Sequence, residues 1–374
     1  MSQATYGTSN CYGTLCGVIA QTKVGIVGLG GVADRIHIPA CLGVPGLTIA
    51  AACDLSEESR RRMSAKYTLK AVFPTLEEML EKARPDFVIV GTPPGSHFEI
   101  CSKAMDAGVH VFCEKPFMPT LDEADRIIEI ARARNLLLRV NNQYRYMSVY
   151  AEASRRLAAG EFGRLFYVQM WQHMFHPPAK ETNWRNQLKN YVLYEFGTHA
   201  LDLACFFFDS LPDSILAHIP RARPEFDADI LVHLTLRFPG ERLAAFSFNR
   251  VSHAPEKYLE SRLDCENASL RISLGGVARW SVEWSRSAGV PVFKAGLLKG
   301  GQVRVERNGG SRALYSSRRG EFATATARHL KVFLEEMRHS PRPLTSALHA
   351  REVLRLVFSG YESAESGEVV RFRR

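Results

Sequence analysis

The sequence has no apolar run near the roughly 18 residues that a membrane-crossing helix needs. Its first twenty residues hold no Lys or Arg from which the charged start of a secretory leader is built. The eight cysteines, at positions 11, 16, 41, 53, 101, 113, 205 and 265, form no CxxC pair and no metal-ligand spacing. Membrane-spanning, disulfide-scaffold and structural-zinc classes are set aside on these absences. Buried reduced thiols in a cytoplasmic protein are the expectation. There is also no internal repeat, no low-complexity tract and no basic stripe interleaved with aromatics. The net charge is +9, but its cations are dispersed apart from groups such as Arg60 to Arg62 and Arg371 to Arg374. Nucleic acid is therefore not the expected partner, and a phosphorylated or carboxylated small molecule would use the same charge.

What is present is an ordinary globular composition, 46% hydrophobic and 23% charged, over 374 residues. That length exceeds what one hydrophobic core sustains, so two domains are expected. Residues 1–22 are rich in Gly, Ser, Thr and Tyr and read as a flexible tail that includes Cys11 and Cys16. From Lys23 short β-rich runs at 23–27, 47–53, 87–90, 110–113 and 136–140 alternate with helical patterns at 33–43, 56–66, 76–82, 96–107 and 120–134. This alternation predicts an α/β domain over 23–143 with a doubly wound parallel sheet, the Rossmann arrangement. Past residue 143 the rhythm changes. Helical patterns at 148–159 and 197–209 give way to strand-like stretches at 230–238, 242–250 and 259–265. Residues 285–320 read as strands with mobile loops, and helices are expected at 321–338 and 345–364. Residues 144–374 thus read as an α+β domain with a large, mainly antiparallel open sheet.

Gly28-Leu29-Gly30-Gly31-Val32-Ala33 directly follows the first strand and opens the first helix, giving G-x-G-x-x-A. The first glycine permits the tight turn, the second admits a pyrophosphate to the backbone, and Ala33 lets helix and strand pack closely. Glycines mark any tight strand-to-helix turn, and Asp54 adds weight. It closes the second strand, where a carboxylate accepts from ribose hydroxyls and repels a 2′-phosphate. NAD(H) is favoured on that ground, with NADP(H) left open by Arg60 to Arg62. A further contact is expected from Thr92-Pro93-Pro94 and His97, at the carboxyl end of another strand. The same stretch also reads as a simple loop capped by Ser96.

With Glu114-Lys115-Pro116 added, the chain resembles the glucose-fructose oxidoreductase, inositol dehydrogenase and MocA family (Gfo/Idh/MocA). The resemblance runs through the GxGxxA turn, Asp54, Thr92-Pro93-Pro94, His97, residues 107–116, Arg145 and the ending Tyr361-Glu362-Ser363-Ala364. It implies a cofactor domain followed by an open-sheet domain that binds a small-molecule substrate and supports a homodimer or homotetramer. It also implies that Lys115 sits beside the nicotinamide and handles the substrate's proton. Hydride transfer to or from a carbon bearing oxygen or nitrogen requires such a proton carrier. Read alone, Lys115 is also compatible with a surface lysine after a strand, although Pro116 fixes the turn and Glu114 offers a charge partner.

The family's second motif, D-x-G-x-H-x-x-D after a glycine-rich run, is altered here to Glu195-Phe196-Gly197-Thr198-His199-Ala200-Leu201-Asp202. Lys189-Asn190-Tyr191 replaces the glycines. Glu195 and His199 are four apart, so on a regular helix they share a face and would serve a substrate hydroxyl together. His199 also reads as a packed core histidine. Tyr191 and Tyr194 are substitute phenolic donors, and Trp184 with Arg185 would supply a stacking face and an anion clamp. His173 and His176 lack a third ligand, so no metal is expected. The expected activity is an NAD(P)-dependent oxidoreductase acting on a keto-sugar, polyol or nucleotide-linked sugar. The alternatives are reduction of a C=N bond and a dinucleotide-sensing binding protein without turnover.

Overall fold

The computed structural model describes residues 21–177, 184–254, 256–274, 277–284, 291–298, 301–317, 321–339 and 341–372. The expected tail, with Cys11 and Cys16, lies outside the described residues except for its last two positions. So do 285–290, 299–300 and 318–320 of the stretch expected to carry loops.

Six parallel strands form the first sheet: β1 (Thr22–Val27), β2 (Leu47–Cys53), β3 (Val72–Phe73), β4 (Phe87–Val90), β5 (His110–Cys113) and β6 (Leu138–Val140). Their order is β3-β2-β1-β4-β5-β6, so the chain reverses its direction of winding between β1 and β4. Such a reversal opens a crevice at the carboxyl edge of the strands. β4 and β5 are near-continuous apolar runs because helices cover both faces of the sheet. The two-residue β3 is too short to leave a sequence pattern and was not expected.

The helices α1 (Ile38–Leu42), α2 (Glu57–Tyr67), α3 (Leu76–Ala83), α4 (His97–Asp106) and α5 (Leu121–Ala133) make the crossovers. Side chains stop the backbone at several starts: Ser56, Thr75 and Thr120 each accept the N–H three residues on. The first helix is not regular. Ala33–His37 forms a π turn before α1 continues it, so the pattern read as one helix over 33–43 is two geometries.

After α6 (Ser148–Ala158), the second domain adds β7 (Leu165–His173), a π turn at Leu193–Gly197, α7 (Thr198–Phe208), β8 (Ser214–His218), β9 (Leu231–Phe238), β10 (Arg242–Asn249), β11 (Lys257–Cys265) and β12 (Ser269–Ser273). β13 (Val277–Trp284) and β14 (Pro291–Leu298) pair as a separate hairpin. β15 (Gln302–Arg307), β16 (Gly310–Ser316), α8 (Phe322–Glu336), α9 (Thr345–Ser366) and β17 (Val370–Arg371) complete the order. The nine-stranded sheet runs β16-β15-β12-β11-β7-β10-β9-β8-β17. Only its β7–β10 pair is parallel. No helix among the described residues is long and apolar enough to cross a membrane.

The two sheets are joined by α8, which lies on the first of them although it follows the second in the chain. Leu330 and Phe333 share a buried cluster with Val24, Phe87, Ile89 and Phe112, and the Phe333 ring lies 4.9 Å from that of Phe87. Beside this apolar contact runs a buried polar seam. Arg139 donates to His329 Nε2 (2.6 Å), so His329 carries its hydrogen on Nδ1, 3.2 Å from Asn141 Oδ1. Asn142 donates to Asp202, which also meets Arg145 (2.8 Å) and His349 (2.8 Å).

His97, His199, His329 and His349 are all buried, and burial is the leading cause that holds each imidazole pKa below its usual range. The unfolded chain takes up protons on these rings below about pH 6.5. The folded protein takes them up only at lower pH, so stability is full above that pH and falls as the pH drops. For His199 the loss expected is about 1.4 kcal/mol per pH unit, continuing to about pH 3. Urea unfolding at a series of pH values checks this, and a midpoint unchanged between about pH 7 and about pH 5 contradicts it.

Candidate active site

Three loops meet at the carboxyl edge of the parallel sheet. The first is the glycine turn. Gly28 has φ +90°, and a Cβ there would lie 2.9 Å from Thr92 Cγ2, so the turn is pressed against the second loop. A Cβ at Gly30 would meet nothing within 4 Å, which leaves open space over the turn. Gly31 is exposed with the Arg35 guanidinium folded beside it, Val32 is half-buried, and Ala33 packs with Ile26 and Leu29. Asp54 closes this turn from the end of β2. Its Oδ2 accepts from Leu29 N–H (2.7 Å) and its Oδ1 from Ser56 N–H (2.8 Å). Arg60 donates to the carbonyls of Asp54 and Leu55, and Arg62 to that of Leu29 at 3.4 Å.

In the second loop Thr92 is half-buried, Pro93 exposed and Pro94 buried. His97 is fully buried with Nε2 2.9 Å from Thr92 O and Nδ1 3.1 Å from Phe117 O. It is therefore a strut between the second loop and the third, away from open space.

The third loop holds Glu114-Lys115-Pro116, with a cis bond before Pro116. Glu114 is buried. Its Oε1 accepts from Asn141 Nδ2 (2.6 Å) and lies 3.1 Å from His37 Nε2, while its Oε2 accepts from Lys115 N–H (3.1 Å). The His37 contact is close but off-axis, an electrostatic pairing rather than an aligned hydrogen bond. Burial alone would raise the Glu114 pKa; His37, Asn141 and the Lys115 charge outweigh it and hold the group down to about 2. Glu114 thus grips the lysine's backbone, and its carboxylate stays ionised.

The Lys115 ammonium reaches the other domain. Nζ donates to Glu195 O (3.1 Å) and lies 3.4 Å from Glu195 Oε2. Arg185, beneath whose guanidinium the Trp184 ring lies at 4.4 Å, approaches the same Oε2 at 3.4 Å. Glu195 therefore faces two cations. The expected pairing along a regular helical face with His199 does not form, because Leu193–Gly197 is a π turn and a spacing of four no longer stacks. His199 instead lies flat on Tyr144, with ring centroids 3.9 Å apart and 6° between planes. Tyr144 in turn shares a 2.9 Å hydroxyl contact with Tyr258. Burial, reinforced by the Lys115 charge, brings His199 down to about 3, so the ring is neutral at working pH.

Tyr191 and Tyr194 turn inward. Tyr194 OH donates to Met118 O (3.0 Å), and the Tyr191 ring packs against Phe196 and beneath the Arg250 guanidinium. Arg145 is engaged with Asp202 at the domain seam. His173 Nε2 lies 3.0 Å from Ser247 Oγ. Sequence reasoning missed His37, Asn141 and Tyr144. Asn141 had a signal in its position, immediately after the strand β6 at the carboxyl edge of the sheet. His37, flanked by Ile36 and Ile38, had a weaker one: a polar residue inside an apolar helical stretch.

Known proteins with this arrangement are found by both sequence and shape. Residues 22–142 match the oxidoreductase family with an NAD-binding Rossmann fold, and residues 150–271 match the GFO/IDH/MocA C-terminal domain. An uncharacterized oxidoreductase of Schizosaccharomyces pombe is 27% identical over 225 residues, 59% of this chain and 61% of that protein. The chain spans about three fifths of the length of the first curated relatives it matches. The dTDP-3,4-didehydro-2,6-dideoxy-alpha-D-glucose 3-reductase of Saccharopolyspora spinosa is 27% identical over 63% of this chain and 70% of that protein. An Agrobacterium radiobacter oxidoreductase solved with NAD+, L-tartaric acid and magnesium shares the fold, with a TM-score of 0.77 at 17% identity over 94% of this chain and 98% of the other. With both of its domains matched over more than half its length, the chain belongs to the Gfo/Idh/MocA family of oxidoreductases.

Proposed function

We propose that this protein moves a hydride between a nicotinamide dinucleotide and a sugar-like carbonyl or alcohol carbon, with Lys115 carrying the proton on the reacting oxygen. The observation that carries the reading is the Lys115 ammonium. It is held at the carboxyl edge of the parallel sheet by its own loop and anchored to Glu195 of the facing domain.

The residues present fit a dinucleotide. The open space over Gly30 and the start of the first helix suit a pyrophosphate, and Asp54 at the end of β2 suits the adenosine ribose. When bound, the nicotinamide supplies or accepts the hydride. Lys115 gives or takes the substrate proton at Nζ, and Glu195 keeps that ammonium oriented and partly neutralised. His199, neutral and locked on Tyr144, offers a ring nitrogen as a hydrogen-bonding group of fixed direction. Arg185 beside Trp184 suits an anionic or ring-bearing substituent. The sugar nucleotide in the name of the Saccharopolyspora relative supports a sugar-like substrate. Half-exposed Tyr167 and Trp171 beside exposed Leu243 make the outer face of the nine-stranded sheet the surface we assign to self-association.

NAD(H) is the preferred form in this reading. Arg60 and Arg62, two of the three arginines that left NADP(H) open, are engaged with backbone carbonyls. Asp54→Asn is expected to narrow the ratio of NAD to NADP affinity about tenfold, a change of about 1.4 kcal/mol, read by fluorescence titration with each dinucleotide. An unchanged ratio removes Asp54 from the discrimination.

Lys115→Ala is expected to lower kcat by about 10²- to 10⁴-fold and to leave dinucleotide affinity within about threefold. Nicotinamide absorbance with a panel of keto-sugars, polyols and nucleotide-linked sugars measures it. Wild-type protein that turns over none of them, or a variant with undiminished rate, overturns the proposal.

A further inference from the structure

A second cleft opens at the opposite, amino-terminal edge of the parallel sheet. Its volume is about 790 Å³. One wall is the end of α3 with Glu81 and Arg84. The floor includes Asp86 and His110, at the starts of β4 and β5. The other wall is the end of α8 and the segment after it, with Arg338 and Arg342.

Many exposed arginines elsewhere, such as Arg132, Arg134, Arg155 and Arg164, rest on carboxylates. Among the described residues the side chains of Arg84, Arg338 and Arg342 have no hydrogen bond or ion pair. The Nε of Arg342 is sealed from solvent and bonds to nothing, so the guanidinium has no protein partner among the described residues, and the residue lines the cleft. This arrangement is not a loose side chain on a loose segment, because the Arg342 backbone N–H donates to Asn135 Oδ1 at 2.8 Å.

The two acids on the lining do not complete the set. Asp86 Oδ2 is spent on the Lys23 N–H at 2.6 Å, and Glu81 is one carboxylate against three guanidinium groups. His110 adds a donor. Its Nδ1 accepts from Leu137 N–H (2.9 Å), which leaves the hydrogen on Nε2. Burial, with the Arg342 charge beside it, brings that imidazole down to about 4, so the ring is neutral at working pH. Residues 1–20, which lead to the rim at Gln21 and Thr22, contain no Asp or Glu and so hold no carboxylate side chain to neutralise the arginines.

The geometry points to a binding site for a small multivalent anion, a polycarboxylate or a phosphate compound, held between Arg84 on α3 and Arg338 with Arg342 beyond α8. Guanidinium groups on facing walls favour a ligand with at least two negative groups, since each fork takes a carboxylate or phosphate edge. This site is separate from the dinucleotide turn, which lies at the other end of the strands, and it does not depend on the oxidoreductase reading.

The test is calorimetric titration of the full-length protein with citrate and with inorganic pyrophosphate, at an ionic strength held constant with potassium chloride. One or both anions should bind with a Kd below about 1 mM. The Arg84→Gln/Arg342→Gln double variant should weaken that binding at least about tenfold, and the exposed Arg338→Gln should weaken it to a smaller degree. Dinucleotide affinity should stay as in wild type. Citrate binding alone identifies a polycarboxylate site and pyrophosphate binding alone a phosphate site. Three results overturn the proposal: no binding of either anion, binding that survives all these substitutions, or binding abolished by saturating dinucleotide.

Discussion

The Glu114 carboxylate is the point on which the rest of the site depends. An ionised group taken out of water costs several kcal/mol unless it is paired and bonded. Here the balance is restored by residues from three separate parts of the chain: His37 from the helix after the glycine turn, Asn141 after β6, and the Lys115 backbone itself. Because the same carboxylate touches all three, the dinucleotide turn, the lysine loop and the end of the sheet cannot move independently. Asn141 extends the connection to His329 on α8, whose other ring nitrogen accepts from Arg139. The donors therefore run in one direction, from Arg139 through His329 and Asn141 to Glu114, and the neutral tautomer of His329 is the one that permits it.

A second constraint acts across the domains. Asp202 is buried among Asn142, Arg145 and His349, and the Arg145 charge and the His349 contact outweigh burial and hold its pKa down to about 2, so it stays ionised near neutral pH. This knot fixes α7, which carries His199 one turn earlier on the stack with Tyr144. Lys115 and Glu195 then meet between two bodies already held in register. The site is assembled from the facing edges of two sheets, and its precision derives from buried polar contacts that are satisfied only when both are in place.

Both helices that lead into the site begin with a π turn, Ala33–His37 and Leu193–Gly197. A π turn rotates the following side chains relative to a regular helix. In the first case His37 lies against the third loop. In the second Glu195 faces Lys115 and Arg185 while His199 turns to Tyr144. The replacement of the family's aspartate by Glu195 is thereby given a physical setting: the longer side chain sits between two cations, and the histidine relies on an aromatic face for its orientation.

What the sequence determined by itself was local and periodic. The alternation of apolar runs with helical patterns, the glycine turn, Asp54 and Glu114-Lys115-Pro116 are short-range features, and they define the Rossmann domain and its working edge. The open sheet was legible in kind, but β3, β8, β12, β13 and β17 were not read as strands, β3 and β17 being only two residues long. Only the tertiary structure decided which partner each charged group took. Lys115 paired with Glu195 eighty positions away, Glu114 with His37 and Asn141, and Arg145 with Asp202. The reason is that a buried charge is matched by whichever complementary group the packing brings within reach, and spacing along the chain does not encode that distance. The π geometry that separates Glu195 from His199 belongs to the same class, because an i to i+4 pattern reads identically in a regular helix and in one with an extra residue in its turn.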